Sequence, residues 1–159
     1  MVLGMRRIIA YLVRFAVILI GYIVGSLAAS AFLNALFLGY FGYGLEPGHP
    51  TIAPALYFSV PFVALFVAYF AFMPAAVVIL AAEVLGRRDW LFYALGGAVV
   101  AIVFLGFVHN LGDANFDVTA TNVRLAVIGS GMVGGIFYWL SAGRWAGSWR
   151  REPLLDPES

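Results

Sequence analysis

The sequence predicts an all-α, polytopic membrane protein in which four transmembrane helices form an antiparallel bundle with both termini in the cytoplasm. Three observations predict it. Of 159 residues, 64% are apolar and 11% charged, against roughly 45–50% and about 25% in soluble domains. The apolar residues fall into four long runs, each meeting the roughly 20 residues that a spanning helix needs. Eight of the nine arginines lie in segments that an alternating four-span chain places on one side of the bilayer. Four spans and their connections use nearly the whole length, which leaves no separate catalytic or nucleic-acid-binding domain. The net charge of +1 gives no broad basic surface to hold a nucleic acid.

The predicted spans cover about 8–41, 52–82, 90–108 and 123–142, within a single domain of residues 1–142 followed by a short tail, 143–159. The first run is interrupted only by Arg14 and Asn34. Its basic lead, Met5-Arg6-Arg7, and the small residues Ala29-Ser30-Ala31 also fit a secretory signal cleaved near Phe32. An apolar body longer than the 7–15 residues of a signal, with Arg14 inside it, favours an uncleaved span. The second run contains Pro54, Pro61 and Pro74. Pro54 suits a first helical turn after Thr51, whereas the other two lie deep enough to kink the helix. A charged turn from Glu83 to Asp89 follows, with Glu83 and Arg87 spaced i,i+4 so that they can pair on one helix face. The third run, Trp90 to Val108, has no ionisable residue, and a polar connection from His109 to Asn122 leads to the fourth.

Orientation follows from arginine placement, because basic residues flanking spans stay on the cytoplasmic side. Arg6, Arg7 and Arg14 accompany span one, Arg87 and Arg88 join spans two and three, and Arg144, Arg150 and Arg151 follow span four. Only Arg124 falls on the other side. Trp90, Tyr138, Trp139, Trp145 and Trp149 fit an aromatic belt at the cytoplasmic interface. The lipid bilayer is therefore the first expected partner, and the connections 42–51 and 109–122 are expected outside.

Chemistry is sparse. Cysteine and lysine are both absent, which excludes disulfides, thiolate metal sites, Schiff-base lysines and a Walker lysine. No ionisable residue lies at mid-span, where a proton-coupled pump needs one; Arg14 and Glu83 lie near the inner ends, His109 and Arg124 near the outer ends. Ser26, Ser30 and Asn34 share one face of span one through their spacing by four. They are expected to bond neighbouring helices, and alternatively to line a polar path. Gly21 and Gly25 form a GxxxG in span one, and Gly131 and Gly135 another in span four, where small residues let helices approach closely in lipid. Phe58, Phe62, Phe66 and Phe70 form an i,i+4 aromatic ridge on span two, expected to face lipid, with a partner's helix or a quinone-like ligand as the sharper reading.

The outer connections carry a candidate polar site of His49, His109, Asp113, Asp117 and Arg124. Asp113, Asn115 and Asp117 match the opening D-x-N-x-D of an EF-hand calcium loop. Val118 then replaces the required glycine and Arg124 the bidentate glutamate, so no metal is expected there, and no cofactor elsewhere. No catalytic constellation is present among the motifs that carry one.

From Tyr138 to Gly147 the chain reads Tyr-Trp-Leu-Ser-Ala-Gly-Arg-Trp-Ala-Gly. With the overall hydropathy, this resembles the end of the last span in small uncharacterised four-helix inner-membrane proteins of alphaproteobacteria. The resemblance implies a bacterial inner-membrane location and no activity. The function expected from the residues is that of a non-catalytic accessory or scaffold subunit, with a membrane-protein partner or self-association. The alternative is a small oligomeric transporter or channel using the polar stripe of span one.

The topology has a direct test, since the chain has no native cysteine. Single cysteines at Asn115 and Ser159 should react with an impermeant maleimide from opposite sides of sealed vesicles; reaction of both from one side would refute four spans. N-terminal sequencing of the mature protein distinguishes the cleaved alternative.

Overall fold

The computed structural model describes residues 2–39, 52–110 and 121–146. They form α1 (Val2–Gly39), α2 (Ile52–Leu85), α3 (Trp90–Asn110) and α4 (Thr121–Ser141), followed by a 3₁₀ turn, Gly143–Trp145. Within them, Ile8–Phe37, Leu56–Leu85, Trp90–Val108 and Thr121–Ser141 are long and apolar enough to cross a membrane. The fold is therefore all-helical with four candidate spans. At 1.5 Å per residue the first two are about 45 Å long, more than the ~30 Å hydrocarbon core.

Element ends follow local chemistry. α2 runs three residues past the expected end at 82, through Glu83 to Leu85. Gly86 stops it with φ of 63°, a conformation cheap only for glycine. Arg87 N–H then reaches back to the Ala82 carbonyl at 3.0 Å, the six-to-one bond of a Schellman cap. α2 runs on as one helix through both Pro61 and Pro74. α4 starts two residues before the expected boundary, at Thr121.

α4 is the hub, packed against α1 on one side and α3 on another, and glycine makes both contacts close. A Cβ on Gly97 or on Gly135 would strike the backbone oxygen of Gly131 or of Tyr93. On the α1 side, a Cβ on Gly25 would lie 2.8 Å from the Gly134 carbonyl oxygen, and one on Gly21 would lie 2.6 Å from the Ala142 Cβ. In lipid, no hydrophobic drive pulls helices together, so dispersion between closely approaching backbones must do so. The spacing of four puts Gly131 and Gly135 on α3, while Gly134, Tyr138 and Ala142 form the adjacent row on α1.

α2 associates differently. It presents Phe58, Phe62 and Phe66 outward, at 84%, 68% and 55% exposure. Phe70 departs from the expected ridge and turns inward to Phe104 and Phe107 of α3, with ring centroids 6.0 and 6.4 Å away. Four residues per step exceed the 3.6 of a helical turn, so a ridge at that spacing winds slowly around its helix.

Close backbone approach makes the glycines unequal. Gly97→Ala should lower stability in detergent by about 1–3 kcal/mol through overpacking. Gly106→Ala should be neutral or stabilising by up to about 1 kcal/mol, since nothing lies within 4 Å of where its Cβ would stand. Thermal unfolding of the purified variants measures both, with Phe66→Leu as a nearly silent control.

Candidate functional site

Among the described residues, two charged side chains enter the helical bundle, and they meet. Arg14 of α1 donates from Nη2 to Oε1 of Glu83 on α2, with the side chains only 13% and 11% exposed. Arg14 Nη1 also donates to the Ala142 carbonyl just past α4, at 3.3 Å. The expected pairing of Glu83 with Arg87 is not the one formed. Arg87 lies instead 3.6 Å from Asp89, with both side chains well exposed. The reason is desolvation: a buried carboxylate needs a buried cation, whereas Arg87 stands in the exposed turn beyond the end of α2. Ala82 and Ala142, both fully buried, keep the space beside the pair small.

Around the pair, side chains tie the 86–89 connection to the segment after α4. The Tyr93 hydroxyl lies 3.2 Å from the Arg87 carbonyl and 3.4 Å from that of Gly143. Arg88 Nε donates to the Ala146 carbonyl at 2.9 Å, and the Trp139 indole donates to the Arg88 carbonyl at 2.6 Å. The rings of Tyr93 and Tyr138 lie 5.4 Å apart within a cluster that includes Ala82 and Ala142. The Tyr138 hydroxyl and Arg14 Nε are buried and have no hydrogen-bond partner among the described residues.

The polar stripe of α1 is engaged with helix backbones. Ser26 donates to the carbonyl of Tyr22 on its own helix at 2.9 Å. Ser30, fully buried, donates across to the Val60 carbonyl of α2 at 2.7 Å. Asn34 donates from its amide nitrogen to the Ser30 carbonyl at 2.9 Å and accepts from the Ser59 hydroxyl. Tyr22 adds another cross-helix bond, to the Ala68 carbonyl at 2.6 Å. Ser130 donates within α4, to Val127 at 2.7 Å.

Between the helices lies a cavity of about 100 Å³ to which all four contribute. Gly25 and Ala29 of α1, Ala71 and Ala75 of α2, Gly97 of α3 and Gly134 of α4 are among its walls, and Tyr138 closes on it from α4. The walls are almost wholly apolar, because the hydroxyls of the stripe point into backbone carbonyls.

Of the outer polar site, only Arg124 has a described side chain, exposed in the first turns of α4. His49, Asp113 and Asp117 lie outside the described residues, as does the side chain of His109. Among the described residues no group of three or more His, Cys, Asp or Glu is placed to hold a metal ion. Comparisons with protein-family models, curated proteins and solved structures find no match.

Sequence reasoning placed Arg14 and Glu83 near the same membrane face but did not pair them. A usable signal was present: they are oppositely charged groups inside long apolar runs, and intramembrane charges generally seek one another. Tyr93 and Tyr138 had no such signal, since tyrosines near span ends also read as interfacial anchors.

Breaking the pair has an asymmetric expected outcome. Glu83→Gln should lower detergent stability by about 3 kcal/mol, because it leaves the Arg14 charge buried alone. The double variant Arg14→Met with Glu83→Leu should recover most of that loss. Equilibrium unfolding of the two variants and the wild type measures the difference.

Proposed function

We propose that this chain is a multi-pass protein of the bacterial inner membrane acting as a non-catalytic accessory or scaffold subunit of a larger membrane complex. The observation that carries the reading is the use made of its intramembrane polar groups. Ser30 and Asn34 are bonded to α2 or to their own helix, and Arg14 is neutralised by Glu83. A solute path along this stripe would have to compete with those bonds. What α2 leaves open is an apolar, aromatic outer face, from Tyr57 and Phe58 to Tyr69 and Met73, suited to lipid and to another protein's helix.

The proposed arrangement alternates direction, with both termini cytoplasmic. Contacts support the alternation: Gly21 faces Ala142, Gly25 faces Gly134, and Phe32 faces Gly129, so numbers rise along α1 as they fall along α4. The same inversion relates α1 to α2 through Tyr22 with Ala68 and Ser30 with Val60. The ends bearing Arg14, Arg87, Arg88 and Arg144 are then together, as retention of basic residues in the cytoplasm requires. Trp145, beneath the Arg144 guanidinium at 4.0 Å, suits a headgroup-level position.

Mild solubilisation of native membranes followed by mass spectrometry should recover a stoichiometric heteromeric membrane partner. Changing Ser26, Ser30 and Asn34 together to alanine should weaken assembly, each cross-helix bond contributing about 0.6–2 kcal/mol. Recovery of a homo-oligomer alone, moving a solute in liposomes and losing that activity in the triple variant, would replace this reading with transport.

A further inference from the structure

Two turns far apart in the chain are held together at one end of the bundle, and both carry arginine. The 86–89 connection holds Arg87 and Arg88, and the turn Gly143–Trp145 holds Arg144. Arg88 Nε donates to the Ala146 carbonyl at 2.9 Å, the Trp139 indole donates to the Arg88 carbonyl at 2.6 Å, and the Tyr93 hydroxyl lies near the carbonyls of Arg87 and Gly143. Ala146 N–H closes the second turn on the Gly143 carbonyl at 3.0 Å. The ends of that turn are then within about 7 Å of each other, with Arg144 between them. Like charges brought together repel, and retention of arginine at a membrane flank requires none of these bonds.

The carboxylates nearby leave the joined turns positive. Glu83 is taken by Arg14, and Asp89 lies 3.6 Å from Arg87. Arg88 and Arg144 have no carboxylate partner among the described residues. Arg88 is oriented through Nε, and the Arg144 guanidinium lies over the Trp145 ring at 4.0 Å. Either arrangement holds a guanidinium in place and leaves terminal N–H donors in its plane, the fork that matches a phosphate.

Depth identifies the anion. The candidate spans end at Leu85 and Ser141 and resume at Trp90, so Arg87, Arg88 and Arg144 stand two or three residues outside the apolar helices, at headgroup level. Beside them, Leu85, Trp90 and Leu91 expose apolar side chains at the span ends. A soluble anion would meet the cations and leave that apolar surface unused. A phosphate carried on acyl chains meets both.

We propose that the joined 86–89 and 143–146 turns bind the phosphodiester of an anionic phospholipid through the guanidinium groups of Arg88 and Arg144. The site does not depend on a protein partner, nor on which side of the membrane the termini occupy.

The test uses the full chain in mild detergent, with native mass spectrometry counting bound lipid. The probes are dioleoylphosphatidylglycerol and dioleoylphosphatidylcholine, which share acyl chains and a phosphodiester but differ in net charge, with inorganic phosphate as competitor. The phosphatidylglycerol should bind saturably at one per chain, about tenfold tighter than the phosphatidylcholine. Arg144→Gln should remove about tenfold of that affinity, the worth of roughly one charge-assisted hydrogen bond. Arg88→Gln should do the same, and the double variant should bind the two lipids alike. Arg124→Gln, at the opposite end of α4, should change nothing. Unfolding midpoints without lipid show which variants fold, and exposed Arg144 keeps the test available should Arg88→Gln fail to fold. The proposal is overturned if wild type binds the two lipids alike or if folded Arg144→Gln binds phosphatidylglycerol as wild type does. It is overturned equally if millimolar inorganic phosphate at constant ionic strength displaces the lipid, which would mark a site for the free anion.

Discussion

An arginine on one helix and a glutamate on the next cannot enter apolar surroundings separately, and the arrangement of this protein depends on their doing so together. Either charge alone would carry a desolvation penalty. Paired, Arg14 and Glu83 fix the register of α1 against α2, and the bond from Arg14 to the Ala142 carbonyl brings the end of α4 to the same point. Such a pair adds little net stability over a well-packed apolar substitute, and here it joins three segments at one point. The glycine contacts and the cross-helix bonds of Tyr22 and Ser30 act beside it in selecting a register.

Two different kinds of helix contact then divide the bundle. α1, α3 and α4 are joined by glycine against backbone, at distances no side chain allows. α2 is joined to α1 by side-chain hydrogen bonds: Tyr22 to Ala68, Ser30 to Val60, Ser59 to Asn34. Small side chains of α2 and the glycines of the other three helices leave a cavity among them. α2 also carries a broad exposed apolar face, from Tyr57 to Met73.

The connection between α2 and α3 shows how a short turn gains rigidity without a core of its own. Gly86 supplies the one left-handed residue, Arg88 and Tyr93 bond to the segment after α4, and the Trp139 indole closes onto the Arg88 carbonyl. Its backbone carbonyls would otherwise need water; here side chains from α3 and α4 provide donors. The polar end of the bundle is thus a connected network in which the buried pair and the surface turn share elements.

The sequence by itself determined the four long apolar helices, although α1 starts at Val2, six residues before the expected span. Apolar length is a one-dimensional property, and a bilayer leaves few backbone conformations other than helix to such a run. It also determined which residues were small enough for contact, because Gly21, Gly25, Gly131 and Gly135 recur at helical spacing. The tertiary structure alone decided that Glu83 meets Arg14, sixty-nine positions away in the chain, rather than Arg87 four positions on. The i,i+4 rule describes neighbours on an isolated helix surface in water, and Glu83 faces the bundle. Likewise it decided that Phe70 leaves the ridge for α3, and that a tyrosine expected at an interface points its hydroxyl into the interior. Those outcomes depend on which helix faces which, and that is settled by three-dimensional complementarity between faces that are distant in the chain.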